Sequence, residues 1–190
     1  IELTNVARDL SELIHGDGTP DLTPIALHQL LREELEKRRE TFSNAEITMP
    51  KPPDHRTRVR ANELLSSVFR NLVNNAVQHN HTGQPRVAIT AEEAGDVVRV
   101  SVADNGPGIP PDVRTDLFQE GHKGLESGGT GMGLFLVDNL VESYGGDVWI
   151  ADRVEHTFPD DAGGANTPGV AFVVELPTAP KKVDSGEQNR

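Results

Sequence analysis

In the run Arg70-Asn71-Leu72-Val73-Asn74-Asn75-Ala76-Val77-Gln78-His79-Asn80, two carboxamides, Asn71 and Asn75, stand four residues apart. If the run is helical, Asn71, Asn75, Gln78 and His79 fall on one stripe, which Val68 and Leu64 continue toward the N-terminus. A carboxamide presents an oxygen acceptor and an amino donor, and it is cheaper to desolvate than a carboxylate. On the border of an apolar face such a pair can hold an oxygen-loving cation and phosphate-bound water, or it can satisfy nearby backbone groups. The pair alone leaves both open.

Two further stretches carry chemistry. Asp104-Asn105-Gly106-Pro107-Gly108-Ile109 sets a carboxylate before glycines whose backbone takes angles that a Cβ resists. A flat base can lie close to such a turn while the carboxylate accepts from an exocyclic amino group; a plain strand-end turn is the alternative. In Gly128-Gly129-Thr130-Gly131-Met132-Gly133-Leu134, glycines precede a helix whose first N–H groups lack intrahelical partners, which is a phosphate site or a hinge. Neither common nucleotide fingerprint is present. G-x-G-x-x-G would need glycine where Leu134 stands, and there is no GK[ST] sequence.

The elements that must position these residues follow from periodicity. A helix is predicted over Asn62 to Asn80, capped by Asn62, with Leu65, Phe69, Leu72, Val73, Ala76 and Val77 on its main apolar arc. Another is predicted over Gly131 to Tyr144, with Leu136, Val137, Leu140, Val141 and Tyr144 on one arc and Gly145-Gly146 ending it. Upstream, Asn5 to Ile14 reads as a short helix. A further helix starts near Asp21 to Pro24 and buries Ile25, Leu27, Leu30, Leu31 and Leu35, leaving the run Glu33 to Arg39 largely wet. Strands are predicted at Ala45 to Met49, Arg56 to Arg60, Arg86 to Thr90, Val97 to Val102, Asp147 to Ala151 and Val170 to Leu176. Ala94-Gly95-Asp96 supplies a hairpin turn. Pro111 to Phe118 reads as a short helix, and Gln119 to Gly129, with four glycines, as a mobile loop. Interleaved helices and hairpin-paired strands imply a mixed sheet covered on one face by helices.

In this order, the three stretches resemble the N, G1 and G2 boxes of the ATP-binding domain of sensor histidine kinases. That fold is shared with DNA gyrase, Hsp90 and MutL ATPases. The likeness runs from about Arg56 to Pro177 and implies a two-layer α/β sandwich of the Bergerat type. It implies that Asp104 reads adenine N6, with Gly106, Gly108 and Ile109 around the base and His79 beside it. Asn75 becomes the Mg²⁺ ligand and Asn71 its partner, and Gly129, Thr130, Gly131, Met132, Gly133 and Leu134 line the phosphates of ATP. Gln78 stands where many relatives carry Lys or Arg, so Lys123 is the substitute candidate for the γ-phosphate. The F box is irregular: Leu117-Phe118-Gln119-Glu120-Gly121 keeps the first Phe and has Gly121 for the second.

The related ATPases carry a glutamate one turn before the metal-binding Asn, as base for water. Here that position is Asn71, which takes no proton at neutral pH. The resemblance therefore implies phosphoryl transfer to a histidine. That histidine is expected outside this chain, because no histidine here sits in a His-acid-Leu-basic-x-Pro type motif; His28 is followed by Gln29-Leu30-Leu31 and reads as structural. A module of the same fold that senses or scaffolds ATP without transferring it would need the same boxes. The sequence preceding Ile1 distinguishes the two.

The implied organisation is a helical segment over 1–44 that links to or ends a dimerisation hairpin, the ATP-binding domain over 45–177, and a disordered tail or spacer over 178–190. The implied partners are the dimerisation and phosphoacceptor helical domain of the same full-length homodimeric protein and a response regulator. A formal charge of −12 argues against a nucleic-acid partner, since neutralising phosphates takes clustered Lys and Arg. Only five of the 18 basic residues are lysines, a composition open to either a halophile or an ordinary acidic cytosolic protein. No apolar run approaches membrane-spanning length, so no membrane contact is expected of this segment. With no cysteine, thiolate metal sites are excluded and the composition is compatible with the cytoplasm, the location expected for this segment, while membrane anchoring of the full-length protein stays open.

Overall fold

A computed structural model describes residues 21–114, 116–119, 132–153, 157–158 and 169–180. Within them, a five-stranded sheet is built from β2 (Glu46–Lys51), β4 (Arg86–Ala94), β5 (Val97–Asp104), β6 (Asp147–Asp152) and β7 (Val170–Pro177). Their spatial order is β2-β4-β5-β7-β6. The β2–β4 pair is parallel and the others antiparallel, so the sheet is mixed as expected. A separate two-stranded ribbon pairs β1 (Thr23–Ala26) with β3 (Arg58–Ala61). Three longer helices, α1 (Leu27–Thr41), α2 (Leu65–Gln78) and α4 (Gly133–Ser143), share one apolar core with the sheet; α3 (Pro111–Arg114) and a 3₁₀ turn (Asp116–Phe118) are short.

The alternation read from β5 holds. Val98, Val100 and Val102 are fully buried, facing the helices. Gly95, at φ 69°, makes the two-residue connection between Ala94 and Val97, which stand opposite each other. The arc of α4 is buried as predicted, and the helix stops in a Schellman motif: the Gly145 N–H donates to the Glu142 carbonyl at 2.8 Å and the Gly146 N–H to the Val141 carbonyl at 3.0 Å. Gly145 takes φ 74°, and a Cβ on Gly146 would lie 2.2 Å from the Glu175 carbonyl oxygen.

Several expectations are corrected. Ribbon strand β1 occupies residues read as the start of a helix; its partner lies more than thirty residues on, at Arg58–Ala61, so no local pattern announced it. On the edge strand β2, pairing continues past Pro50 to Lys51 through a register shift, which an edge tolerates because proline's missing donor would face solvent. Helix α2 begins three residues after Asn62, with Leu64 at its N-cap. The Asn62 carboxamide instead accepts the Leu64 N–H at 3.0 Å and the Tyr144 hydroxyl at 2.6 Å, tying the entry of α2 to the end of α4.

Val68 belongs to the core rather than to the cleft stripe, because α1 and α4 flank α2 while the sheet lies beneath it. Glu34, read as solvated, is buried and pairs with Arg38 at 3.3 Å; Arg38 in turn donates to Asn74 on α2 at 3.2 Å. A buried carboxylate persists only with such partners. Leu27, Leu31 and Leu35 of α1 join the same core as α2, so one core spans the point near residue 44 where a boundary was expected.

The tail expected from Thr178 is structured at its start. Thr178 donates its N–H to the Asp96 carbonyl at 2.8 Å, and the Ala179 N–H donates to the Arg58 carbonyl at 2.7 Å. His28 is packed, its ring 4.0 Å from that of His55 and its Nδ1 3.1 Å from the Pro53 carbonyl oxygen. The Asn5 to Ile14 helix, most of the glycine-rich loop before α4 and residues 181–190 lie outside the described residues.

Candidate nucleotide-binding site

Asp104 is the last residue of β5 and is 7% exposed. Its Oδ1 accepts the Gly106 N–H at 2.7 Å. That turn needs glycine, since a Cβ on residue 106 would lie 2.9 Å from the same oxygen. Burial pushes the Asp104 carboxyl up to about 6, against the opposing pull of the Gly106 and Val170 N–H groups and the Arg153 guanidinium. Gly108 takes φ 86°, the left-handed region open to glycine. Ile109 packs partly against the core, and its carbonyl accepts from Arg114 Nε at 2.8 Å.

Two asparagines that the sequence reading gave no role fasten this turn to the end of α2. Asn80 Nδ2 donates to Asn105 Oδ1 at 2.7 Å, and the same oxygen accepts the Arg86 N–H at 2.8 Å. Asn80 Oδ1 accepts from the Thr82 N–H and hydroxyl at 3.0 and 2.6 Å. The only signal for them was their place inside the quoted motifs, where turn-forming asparagines are ordinary.

At the other end of α2, Asn71 is buried and its Nδ2 donates to the Ser67 carbonyl at 2.7 Å. Its oxygen faces the start of α4: a Cβ on Gly133 would lie 3.0 Å from Asn71 Oδ1. Asn71 thus abuts the glycine box, and Asn80 abuts the Asp104 turn. The last two turns of α2, from Asn71 to Gln78, separate them, about 10 Å of helix. Asn75, one turn beyond Asn71, is half-buried, and its side chain makes no hydrogen bond among the described residues. Gln78 and His79 lie at the end of the helix; partial burial of the ring and then the charge of His81 lower the His79 pKa. Met132 and Leu134 are half-buried against the core on either side of Gly133. Gly129, Thr130, Gly131 and Lys123 lie outside the described residues.

The family model described as "Histidine kinase-, DNA gyrase B-, and HSP90-like ATPase" matches residues 60–180, and the chain belongs to that family. Within it, the chain is 30% identical over 166 residues to the sensor histidine kinase AruS of Pseudomonas aeruginosa, covering 81% of this chain and 16% of that protein. Among solved structures it resembles the catalytic domain of the histidine kinase ThkA, with a TM-score of 0.67 and 27% identity over 82% of this chain and 95% of that one. It also resembles full-length ShkA in complex with AMPPNP, with a TM-score of 0.68 and 28% identity over 94% of this chain and 36% of that one. The chain spans 16% to 38% of the first curated relatives it matches. Its α/β fold is that of histidine kinase ATP-binding domains.

Proposed function

We propose that this chain binds ATP with Mg²⁺ as the catalytic domain of a sensor histidine kinase. In this reading it passes the γ-phosphoryl group to a histidine on the dimerisation and phosphoacceptor helical domain of the same full-length protein, a homodimer, for relay to a response regulator. The observation that carries the reading is that helix α2 abuts the glycine box at Asn71, while Asn80, two residues past its end, fastens the Asp104 turn. A base and its phosphates can therefore lie along a single element.

Asp104 accepts from adenine N6, and Gly106, Gly108 and Ile109 close against the base with His79 at its edge. Gly129 to Leu134 present backbone N–H groups to the phosphates, and Lys123 reaches the γ-phosphate in place of the basic residue that Gln78 replaces. Asn75, whose carboxamide is uncommitted among the described residues, supplies the oxygen for Mg²⁺. No described cluster of three carboxylate or histidine side chains could hold the ion alone, so triphosphate oxygens and water must complete its shell. The ion neutralises charge on the phosphates when bound.

Asn71 holds Asn75's neighbourhood and the start of α4, and it offers no base to water. The reaction is thus in-line attack of a histidine nitrogen on the γ-phosphorus: an N–P bond forms, the bond to the β-phosphate oxygen breaks, and ADP leaves. We infer a cytoplasmic location, where ATP is available.

Calorimetry on this chain should show ATP binding strengthened by Mg²⁺ with no phosphate incorporated. The full-length protein with γ-labelled ATP should gain acid-labile phosphohistidine. Absence of nucleotide binding, or ATP hydrolysis by this chain at the rate of label transfer, would overturn the reading.

A further inference from the structure

Across the sheet, Ala88, Ala103, Ala171 and Ala151 stand in register on β4, β5, β7 and β6. Val87, Val102, Val170 and Phe172, their neighbours along the strands, face the helices, so alternation turns the alanine row to the opposite face. The first three alanines are nevertheless 1%, 5% and 6% exposed. Something larger must cover them.

Phe158, itself 2% exposed, is held by two arginines that flank this row. The Arg86 guanidinium lies 4.3 Å from its ring centroid and the Arg153 guanidinium 4.9 Å. Arg86 stands two residues before Ala88 on β4 and Arg153 two residues after Ala151 on β6, so a ring held by both lies over this end of the row. Each contact is a cation–π interaction, and a buried guanidinium gains more from it than an exposed one. Arg153 is 7% exposed.

The stack ends behind Asp104. A Cβ on Gly169, which takes φ 125°, would lie 2.0 Å from the Asp104 carbonyl oxygen and 2.9 Å from Arg153 Nε. The absent side chain lets β7, Asp104 and Arg153 meet. Against burial, the Gly106 and Val170 N–H groups and then the Arg153 guanidinium lower the Asp104 carboxyl, and among the described residues Arg153 is the charged one of the three.

We propose that Arg153 is the positioning residue for the adenine-reading carboxylate, held behind Asp104 by its stack on Phe158. This rests on the reading of Asp104 given above. Its consequence is that Arg153 adds to the Gly106 and Val170 N–H groups in favouring an ionised Asp104 inside a site whose burial opposes charge. An ionised carboxylate accepts from an amino group through either oxygen, whereas a protonated one presents a donor.

The test follows the Asp104 carboxyl by ¹³C NMR in the whole chain and, in parallel, ADP affinity with Mg²⁺ from pH 5.5 to 8.5. Arg153→Met should raise the Asp104 titration midpoint by about one pH unit. It should weaken ADP binding several-fold near pH 6.5 and leave it at the parent value by pH 8.5. Arg153→Lys should keep the parent midpoint, and Phe158→Leu should shift it upward by less than Arg153→Met does. An unmoved midpoint in Arg153→Met, or an affinity loss equal at every pH, overturns the proposal. If Arg153→Met does not fold, Phe158→Leu decides: an unmoved midpoint there overturns it equally. If Asp104→Asn leaves ADP affinity unchanged, the adenine reading fails, while the NMR midpoints still judge the pairing of Arg153 with Asp104.

Discussion

The two ends of the cleft are built differently. At the Asp104 end nearly every polar group already has a protein partner: Gly106 on the carboxylate, Asn80 on Asn105, Asn105 on the Arg86 backbone. At the other end Asn71 is committed through its amino group to Ser67, and the Asn75 side chain makes no hydrogen bond among the described residues. A site that recognises a flat, uncharged base gains from rigidity, because little is spent ordering it on binding. A site for a metal–triphosphate must keep oxygens unengaged until the ligand arrives. On the proposed reading, the base end is therefore part of the fold, and the phosphate end is completed by what it binds. Substitutions at the phosphate end should cost function without stability, and those at the base end should affect both.

The largest expected effect is at Asn75. Asn75→Ala removes the proposed metal oxygen and should abolish the strengthening of ATP binding by Mg²⁺, a loss of about 3 kcal/mol or roughly a hundredfold in affinity. With no described side-chain partner to strand, its thermal stability should stay within about 0.5 kcal/mol of the parent. Paired calorimetry and thermal melts check both. A destabilised variant would mean that Asn75 is structural, and the contrast between the two ends would fail.

Asp104→Asn sharpens the contrast from the other side. It should weaken ATP about tenfold, since one acceptor becomes a donor facing an amino group. It should also stabilise the protein at alkaline pH. The folded carboxyl, at about 6, holds its proton more tightly than an unfolded one near 4, so protonation favours the fold. That contribution is complete below about pH 4 and is lost as pH rises through about 6, leaving the ionised form at a cost of about 3 kcal/mol at pH 8. Asparagine escapes that cost. Melts at pH 8 and pH 4 should show a gain at the first that vanishes at the second. A variant less stable than the parent at pH 8 would show that the carboxylate's bonds outweigh its desolvation.

Gly133→Ala probes the contact between the halves of the phosphate end. The new Cβ would stand 3.0 Å from Asn71 Oδ1, so the carboxamide must shift by a few tenths of an ångström while alanine favours the first turn of α4. ATP affinity should fall about threefold to fivefold with stability unchanged or slightly raised, the sign expected when a helix gains about 0.5 kcal/mol. ATP affinity equal to the parent's would remove Gly133 from the site.

How far the sequence carried this contrast depended on the range of each signal. The apolar arcs of α2 and α4, the alternation in β5 and the Gly145-Gly146 stop are local periodicities, and they read through. What did not read through needed a partner distant in the chain. Ribbon strand β1 exists because of β3, Glu34 is buried because Arg38 and Asn74 meet across two helices, and Val68 is core because α2 is flanked on both sides. In the site, Asp104 and the asparagine pair were visible as types at a spacing. The clamp of Asn80 on Asn105 and the stack of Arg86, Phe158 and Arg153 were not, since each joins residues that only the sheet order brings together.

The smallest expected effect lies just outside the cleft, at Phe135. On α4 its neighbours Leu134, Leu136 and Val137 all meet the core, whereas Phe135 is half-buried and does not pack against it. It points toward the side of Asp138 and Glu142, where burial and the charges of Glu142 and Asp147 raise the Asp138 pKa. Single exposed apolar residues are common and carry no argument alone. Phe135, however, sits two residues after Gly133, at the end of the cleft from which a phosphoryl group would leave. A half-exposed ring there is suited to docking on the helical domain that carries the acceptor histidine, and burying part of it would contribute about 1 to 2 kcal/mol. Phe135→Ser in the full-length protein should therefore leave ATP affinity and its Mg²⁺ dependence at the parent values while slowing autophosphorylation about threefold to tenfold. Parallel loss of ATP affinity would make Phe135 part of the pocket. An unchanged rate would leave it as one more exposed ring, and the domain would have to dock through another surface.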